Sequence, residues 1–347
     1  MKPLSGTPSP SSVRVRAIRY RERRANRALY IGAMILMGLP WIWELITTAL
    51  SPWNSYTVMY LKDIILMFTG RQPNPLYYDM IVAGLLGIGL VWNDRGRGFL
   101  DHVLEGPVTR RQIFLTKVLF GICTIVAAFL GILIAMGIAL ISIHKLGLID
   151  AVLERSILAT AAGVLVFMVV MSLTSAIGSV VFTAIAAGLV SMVPQLTAAL
   201  YVLAVGGWIH PITSSQDNIY ALIQQFSPLP PNYPLGPSQL IFTAIFAVLS
   251  LLLGSLGLRW WSRVAQERFH EPFLFPWLWN LFYAALAIVS GVIFDGVANA
   301  SLRYSQVSVW IFPAVWAGLA FILWFVWRRI VLWVGKTALR WGPGAEF

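Results

Sequence analysis

Charge is what this chain has least of. Asp, Glu, Lys and Arg make up 11% of the 347 residues, against about 25% in an ordinary soluble domain. With 58% of the residues apolar, most side chains must meet a solvent other than water, and lipid is the candidate. Cysteine is nearly absent. The single Cys123 excludes an intrachain disulfide and a cysteine-based zinc site, and its place in an apolar run reads as a buried structural thiol. The sequence also lacks G-x-x-x-x-G-K-[ST], H-E-x-x-H and G-x-S-x-G, so ATP hydrolysis by this chain itself is not expected and no enzyme is read from it. His102, His144, His210 and His270 fall in four separate segments. No metal site or bound cofactor is therefore expected.

Long apolar runs are there in quantity. About 20 apolar residues cross a hydrocarbon core about 30 Å thick, because a helix rises about 1.5 Å per residue. Eight stretches qualify: Ala28–Leu50, Tyr77–Trp92, Val118–Ile143, Ser156–Ala176, Val180–Val205, Leu240–Leu258, Trp277–Ala298 and Val307–Trp327. The fourth and fifth come from one stretch, Ser156 to Gln216, that holds no charged residue and is too long for a single helix. Its break is expected near Gly178, with a kink at Pro194. The second is short and carries Asp79 near one end, with Tyr77 and Tyr78 as interfacial anchors. The fold class is thus all-α, a polytopic transmembrane helical bundle of about eight spans.

The net charge of +11 is distributed with a bias. Placing the amino terminus in the cytoplasm puts 20 of the 25 Lys and Arg residues in cytoplasmic segments and leaves Lys62, Arg71, Lys145, Arg155 and Arg303 outside. The expected location is the cell membrane, multi-pass, with both termini cytoplasmic. The basic residues cluster between apolar runs instead of forming a folded basic face, so nucleic acid is not a partner. Residues 1–27 hold Lys2 and seven arginines ahead of an apolar segment too long for a signal peptide. Val13, Ala17 and Tyr20 share one face there, which predicts a helix on the inner leaflet, anchored to anionic lipid or touching a cytoplasmic partner.

Outside the membrane, Val58, Leu61, Ile65 and Phe68, and again Ile219, Leu222, Ile223 and Phe226, recur at helical spacing. Both predict short amphipathic helices at the outer interface, the second leading into an extended proline-rich stretch, residues 227–237. Two acids near or within spans, Glu44 one turn after Pro40 and Asp295 near the outer end of the seventh span, form a candidate intramembrane polar site. Each is open to two readings, a water-contacting interfacial carboxylate or a substrate or proton group. Small residues four apart, Ala159 with Gly163 and Ala184 with Gly188, allow close helix packing.

The loop after the second span, residues 93–117, is the informative one. Gly98 to Leu104 reads as a short amphipathic helix broken by Gly106 and Pro107, after which Thr109 caps a helix running past Lys117 into the membrane. Here the sequence resembles the membrane subunits of ABC type-2 exporters. A glycine, a leucine, an acid, then proline, a β-branched residue, a hydroxyl residue, arginine and a later lysine are matched by Gly98, Leu100, Asp101, Pro107, Val108, Thr109, Arg110, Ile113 and Lys117. The resemblance extends more loosely from Arg14 to about Arg268 and departs from the usual six-span plan in its two extra C-terminal spans. His102 and Gly106 stand where apolar residues are common.

The resemblance implies a permease: a basic helix at 1–27, a six-span core at 28–268 with an external helical region at 206–239, and two additional spans with a basic tail at 269–347. Two such subunits, identical or homologous, are expected to pair. Each is expected to engage a separate ABC ATPase subunit, which carries ATP and Mg, through Asp101 to Arg111, with Gly98 to Arg111 transmitting the work and Lys117 closing the motif. Two other readings stay open: a non-transporting assembly or regulatory subunit of an ABC complex, and a membrane-embedded lipid-modifying enzyme.

Overall fold

The computed structural model describes residues 10–50, 55–68, 76–96, 109–144, 146–179, 181–190 and 238–263, together with 322, 325, 326 and 329. The chain divides into two units, Met1–Ala176 with Pro228–Gln266, and Ile177–Ser227 with Glu267–Phe347. The first holds α1 (Pro10–Leu50), α2 (Ser55–Phe68), α3 (Leu76–Gly96), α4 (Arg110–Ser142), a 3₁₀ turn at Leu146–Leu148, α5 (Ile149–Ala176) and α7 (Ser238–Arg263). In the second, α6 (Val181–Val190) buries Phe182, Thr183, Ala186 and Ala187 along one side.

Among the described residues, four helices, Ala17–Thr48, Arg110–Ser142, Ile149–Ala176 and Gln239–Arg263, are long and apolar enough to cross a membrane. The second expected span falls in α3, whose apolar stretch Tyr78–Asn93 is shorter. The charge-free stretch breaks where glycine predicted, with α5 ending at Ala176 and α6 opening on the Ser179 carbonyl, which accepts the Thr183 N–H at 3.0 Å. The fifth span beyond Val190, the external region at 206–237, the seventh span and most of the eighth lie outside the described residues; Ile322, Phe325, Val326 and Arg329 are helical.

The basic amino-terminal helix and the first span are one helix. No glycine or proline separates Arg14 from Tyr30, so α1 runs unbroken for 41 residues, about 60 Å at 1.5 Å per residue. It therefore stands along the bundle where a separate helix on the leaflet was expected. One row of α1 is buried throughout: Glu22, Asn26, Tyr30, Ala33, Met37, Trp41, Leu45 and Thr48, three or four residues apart. Pro40 is accommodated inside the helix.

At the centre stands α5, in which every residue from Leu165 to Ser172 is buried. Small residues bring its neighbours in. A Cβ at Gly121 of α4 would enter the ring of Phe167, and one at Gly257 of α7 would lie 2.9 Å from Ser172 Oγ. The Ser172 hydroxyl lies 2.7 Å from the Leu253 carbonyl oxygen of α7 and 2.8 Å from that of Met168. Of the two small-residue pairs, Ala159 and Gly163 are buried, and a Cβ on Gly163 would meet Ile125 and Phe129 at 3.3 Å. Ala184 and Gly188 are exposed on α6.

The outer surface is the opposite of a soluble protein's. On α1 the exposed row reads Ile31, Ile35, Leu39, Ile42 and Ile46, and on α4 it reads Leu115, Leu119, Val126, Leu130, Ile134, Ile138 and Ile141. Continuous apolar surface of that extent is tolerated in lipid and not in water. Cys123 lies in the α4 row and is exposed, which corrects the expectation of a buried thiol. An apolar run in a membrane helix marks the lipid side as readily as the core, so the run could not locate this thiol. On α2, the expected face is buried at Leu61, Ile65 and Phe68 and packs the helix against α1, while Val58 is half-buried.

Replacing Gly121 by Ala is expected to destabilise the bundle by about 1–3 kcal/mol, as overpacking against a buried ring does. Gly131→Ala, where a Cβ meets nothing within 4 Å, is expected to leave stability unchanged or raise it. Thermal unfolding of the two variants in detergent checks the pair.

Candidate functional site

The lysine that closes the loop motif is fully buried. Helix α4 starts where expected: Thr109 Oγ1 accepts the Gln112 N–H at 3.3 Å, and the Gln112 side chain accepts the Thr109 N–H at 3.2 Å. This reciprocal cap fixes the helix start two turns ahead of Lys117. Ile113 and Phe114 are buried on the same side, and Phe114 faces Trp261 of α7 with ring centroids 6.1 Å apart.

An ammonium with no access to water needs an anion and enough acceptors for its three protons. Lys117 Nζ finds both. It donates to Glu22 Oε1 at 3.1 Å and Oε2 at 3.2 Å on α1, and to the Leu90 carbonyl oxygen on α3 at 2.9 Å. Glu22 Oε1 also accepts from Asn26 Nδ2 at 2.6 Å and from the Tyr30 hydroxyl at 2.8 Å. Asn93 of α3 extends the chain, donating to Asn26 Oδ1 at 2.6 Å. Tyr30 packs on Phe120 of α4, centroids 5.6 Å apart. Three helices are thus joined at one end of the bundle by a single polar cluster.

Fifteen residues further along α1, about 22 Å at helical rise, a second polar contact joins α1 to α3. Trp41 Nε1 donates to Asp79 Oδ2 at 2.9 Å, and the Trp41 indole meets the Phe68 ring of α2 edge-on at 5.0 Å. Asp79 is wholly buried in the first turn of α3, where the helix dipole favours a carboxylate, and among the described residues its Oδ1 has no hydrogen-bond partner. Burying that oxygen is costly, and the cost falls on the contact that closes α1 on α3.

The two intramembrane acids read from the sequence are placed differently. Glu44 is exposed and takes the Tyr60 hydroxyl of α2 at 3.1 Å. That hydrogen bond, and then the Glu44 charge, hold the Tyr60 phenol above its ordinary pKa range. Asp295 lies outside the described residues, as do Gly98, Leu100, Asp101, Pro107 and Val108. Arg110 is half-buried and Arg111 exposed. Among the described residues no three His, Cys, Asp or Glu side chains are grouped to hold a metal.

Sequence reasoning missed Glu22. Its signal was present: it is the sole acid among the first 43 residues, and Asn26 and Tyr30 follow it one and two turns on. No protein-family model, curated protein or solved structure matches the chain.

Replacing Lys117 by Met strands the Glu22 carboxylate among Asn26 and Tyr30, and is expected to cost about 3–5 kcal/mol, as losing one member of a buried ion pair does. Adding Glu22→Gln is expected to recover part of that loss, with a coupling of about 0.5–3 kcal/mol in the double-mutant cycle. Unfolding midpoints of the four proteins in detergent measure it, and strict additivity would show the pair to be energetically independent.

Proposed function

We propose that this chain is the membrane-spanning permease subunit of an ABC transporter, an exporter, driven by ATP hydrolysis in a separate nucleotide-binding subunit. One observation carries the reading. The loop motif that resembles ABC type-2 exporters ends in a capped helix start at Thr109, and its closing Lys117 is bound to α1 and α3. A force applied to the segment Gly98–Arg111 therefore reaches three helices through charge-assisted hydrogen bonds. Without the buried pair, the same push would be taken up by side-chain motion.

The chain is read as eight spans, a six-span core with two additional C-terminal spans, paired with a second copy or a homologous subunit. Each permease engages one ATPase subunit, where ATP and Mg reside, and binds no cofactor itself. The orientation follows from the charges. The end of the bundle at which α1 and α4 begin and α7 ends exposes Arg19, Arg23, Arg24, Arg27, Arg111, Arg259 and Arg263. At the other end lie Glu44, Asp63, Asp79, Asp150 and Glu154, with Lys62 and Arg155. By the positive-inside rule the arginine-rich end is cytoplasmic, in the cell membrane, and the motif loop lies on the side where an ATPase is found.

Copurification of an ATPase subunit with the tagged chain is the expected outcome. Asp101→Ala and Arg110→Ala are expected to weaken its association or remove the stimulation of its ATP hydrolysis. Unchanged association and hydrolysis in both variants would contradict the coupling role. Hydrolysis that persists with no substrate movement would point instead to a non-transporting assembly subunit.

A further inference from the structure

The lipid-facing rows of three helices end alike. On α1 the exposed positions continue downward from Ile46, Ile42, Leu39, Ile35 and Ile31 through Ala28 to Arg24, each step three or four residues. On α4 the row Val126, Cys123, Leu119 and Leu115 leads one turn further to Arg111. On α7 the row runs the other way, from Ile241 through Ala244, Val248, Leu252 and Ser255 to Arg259 and then Arg263. All four arginines are exposed, and each stands on the strip of helix that its own apolar row presents to lipid tails.

All four lie toward the same end of the bundle, three of them nearly level. Arg24 is two residues from Glu22, which holds Lys117, and Arg111 is six residues before Lys117. Arg259 is two residues past Gly257, which abuts Phe114 of α4. At about 1.5 Å per residue Arg111, Arg259 and Arg263 fall within about one helical turn of one another, and Arg24 lies about two turns further in than Arg111. A lipid whose acyl chains cover one of these rows must place its headgroup beside the arginine at the foot of that row.

We infer that the arginine-ended rows of α1, α4 and α7 select anionic phospholipids at this end of the bundle, through the headgroup phosphate and its net negative charge. A planar guanidinium pairs with phosphate oxygens in bidentate fashion while its methylene stem stays on the apolar row. Continuity with the apolar rows favours lipid over an acidic protein, since a protein docked there would have to displace the lipid covering the same strip. The inference rests on the membrane placement of the bundle and not on the transport reading.

The test uses the full-length chain in phosphatidylcholine bilayers, with spin-labelled phosphatidylglycerol or phosphatidylcholine as probe. Electron paramagnetic resonance then reads the motionally restricted lipid around the protein. Phosphatidylglycerol is expected to associate about fivefold more strongly than phosphatidylcholine, the ratio for a headgroup meeting one arginine. The variant R24Q/R111Q/R259Q/R263Q is expected to bring the ratio close to one, and K62Q, at the opposite end, to leave it unchanged. In the unaltered chain about 1 M salt is expected to lower the preference, because exposed charges are screened. That arm requires no variant to fold. Equal association of the two probes with the unaltered chain, a preference indifferent to salt, or one retained by the quadruple variant would overturn the inference and leave these arginines to an acidic protein surface.

Discussion

A lysine ammonium enclosed by an apolar bundle is tolerated only where an anion meets it, and the meeting of Lys117 with Glu22 sets the arrangement of the helices around it. The carboxylate comes from a helix that begins far from α4 in sequence, so the pair forms only when α1 stands against α4 with Glu22 at the level of Lys117. A slip of one residue along either helix would move a charge off its partner by about 1.5 Å and around the axis by about 100°. Apolar packing alone is more forgiving of such slips. The ion pair thus supplies a register that oily surfaces do not, as buried polar groups do in coiled coils.

The same logic holds α1 to α3 at two heights. Asn26 with Asn93 at one end and Trp41 with Asp79 at the other are separated by nearly equal lengths of antiparallel helix, 15 residues on α1 and 14 on α3. Between them, Gly89 lets Leu29 approach. The two contacts are roughly 22 Å apart, somewhat less than the thickness of a hydrocarbon core. Side chains from Ile31 to Ile46 on the outside of α1 cover that interval with apolar surface. Register inside and lipid contact outside are therefore set by opposite faces of one helix.

Much of this was legible in residue order. Length and hydropathy located the long helices, glycine marked the break after Ala176, and Thr109 announced the cap of α4. Partner choice was not legible. Glu22 sits among arginines, and local composition made it look like one more group in a solvated basic segment. Only the fold brings it to Lys117, 95 residues away. Asp79 was visible as an acid near a span, yet its burial depends on Trp41 and Phe68 arriving from two other helices. Cys123 was misread because hydrophobicity in a membrane helix points to lipid and to the core with equal force.

The central claim is that the polar cluster around Glu22 fastens α1 to α3 and α4 at one end of the bundle. It is tested most directly by cross-linking in the membrane. With Cys123 replaced by Ser, cysteines at positions 26 and 93 treated with a short bifunctional thiol reagent should join α1 to α3, leaving the two halves linked after proteolysis between them. A cysteine at 26 paired with one at 130, on the lipid-facing row of α4, should not. Absence of the 26 to 93 link, with both thiols shown to be reactive, would contradict the account.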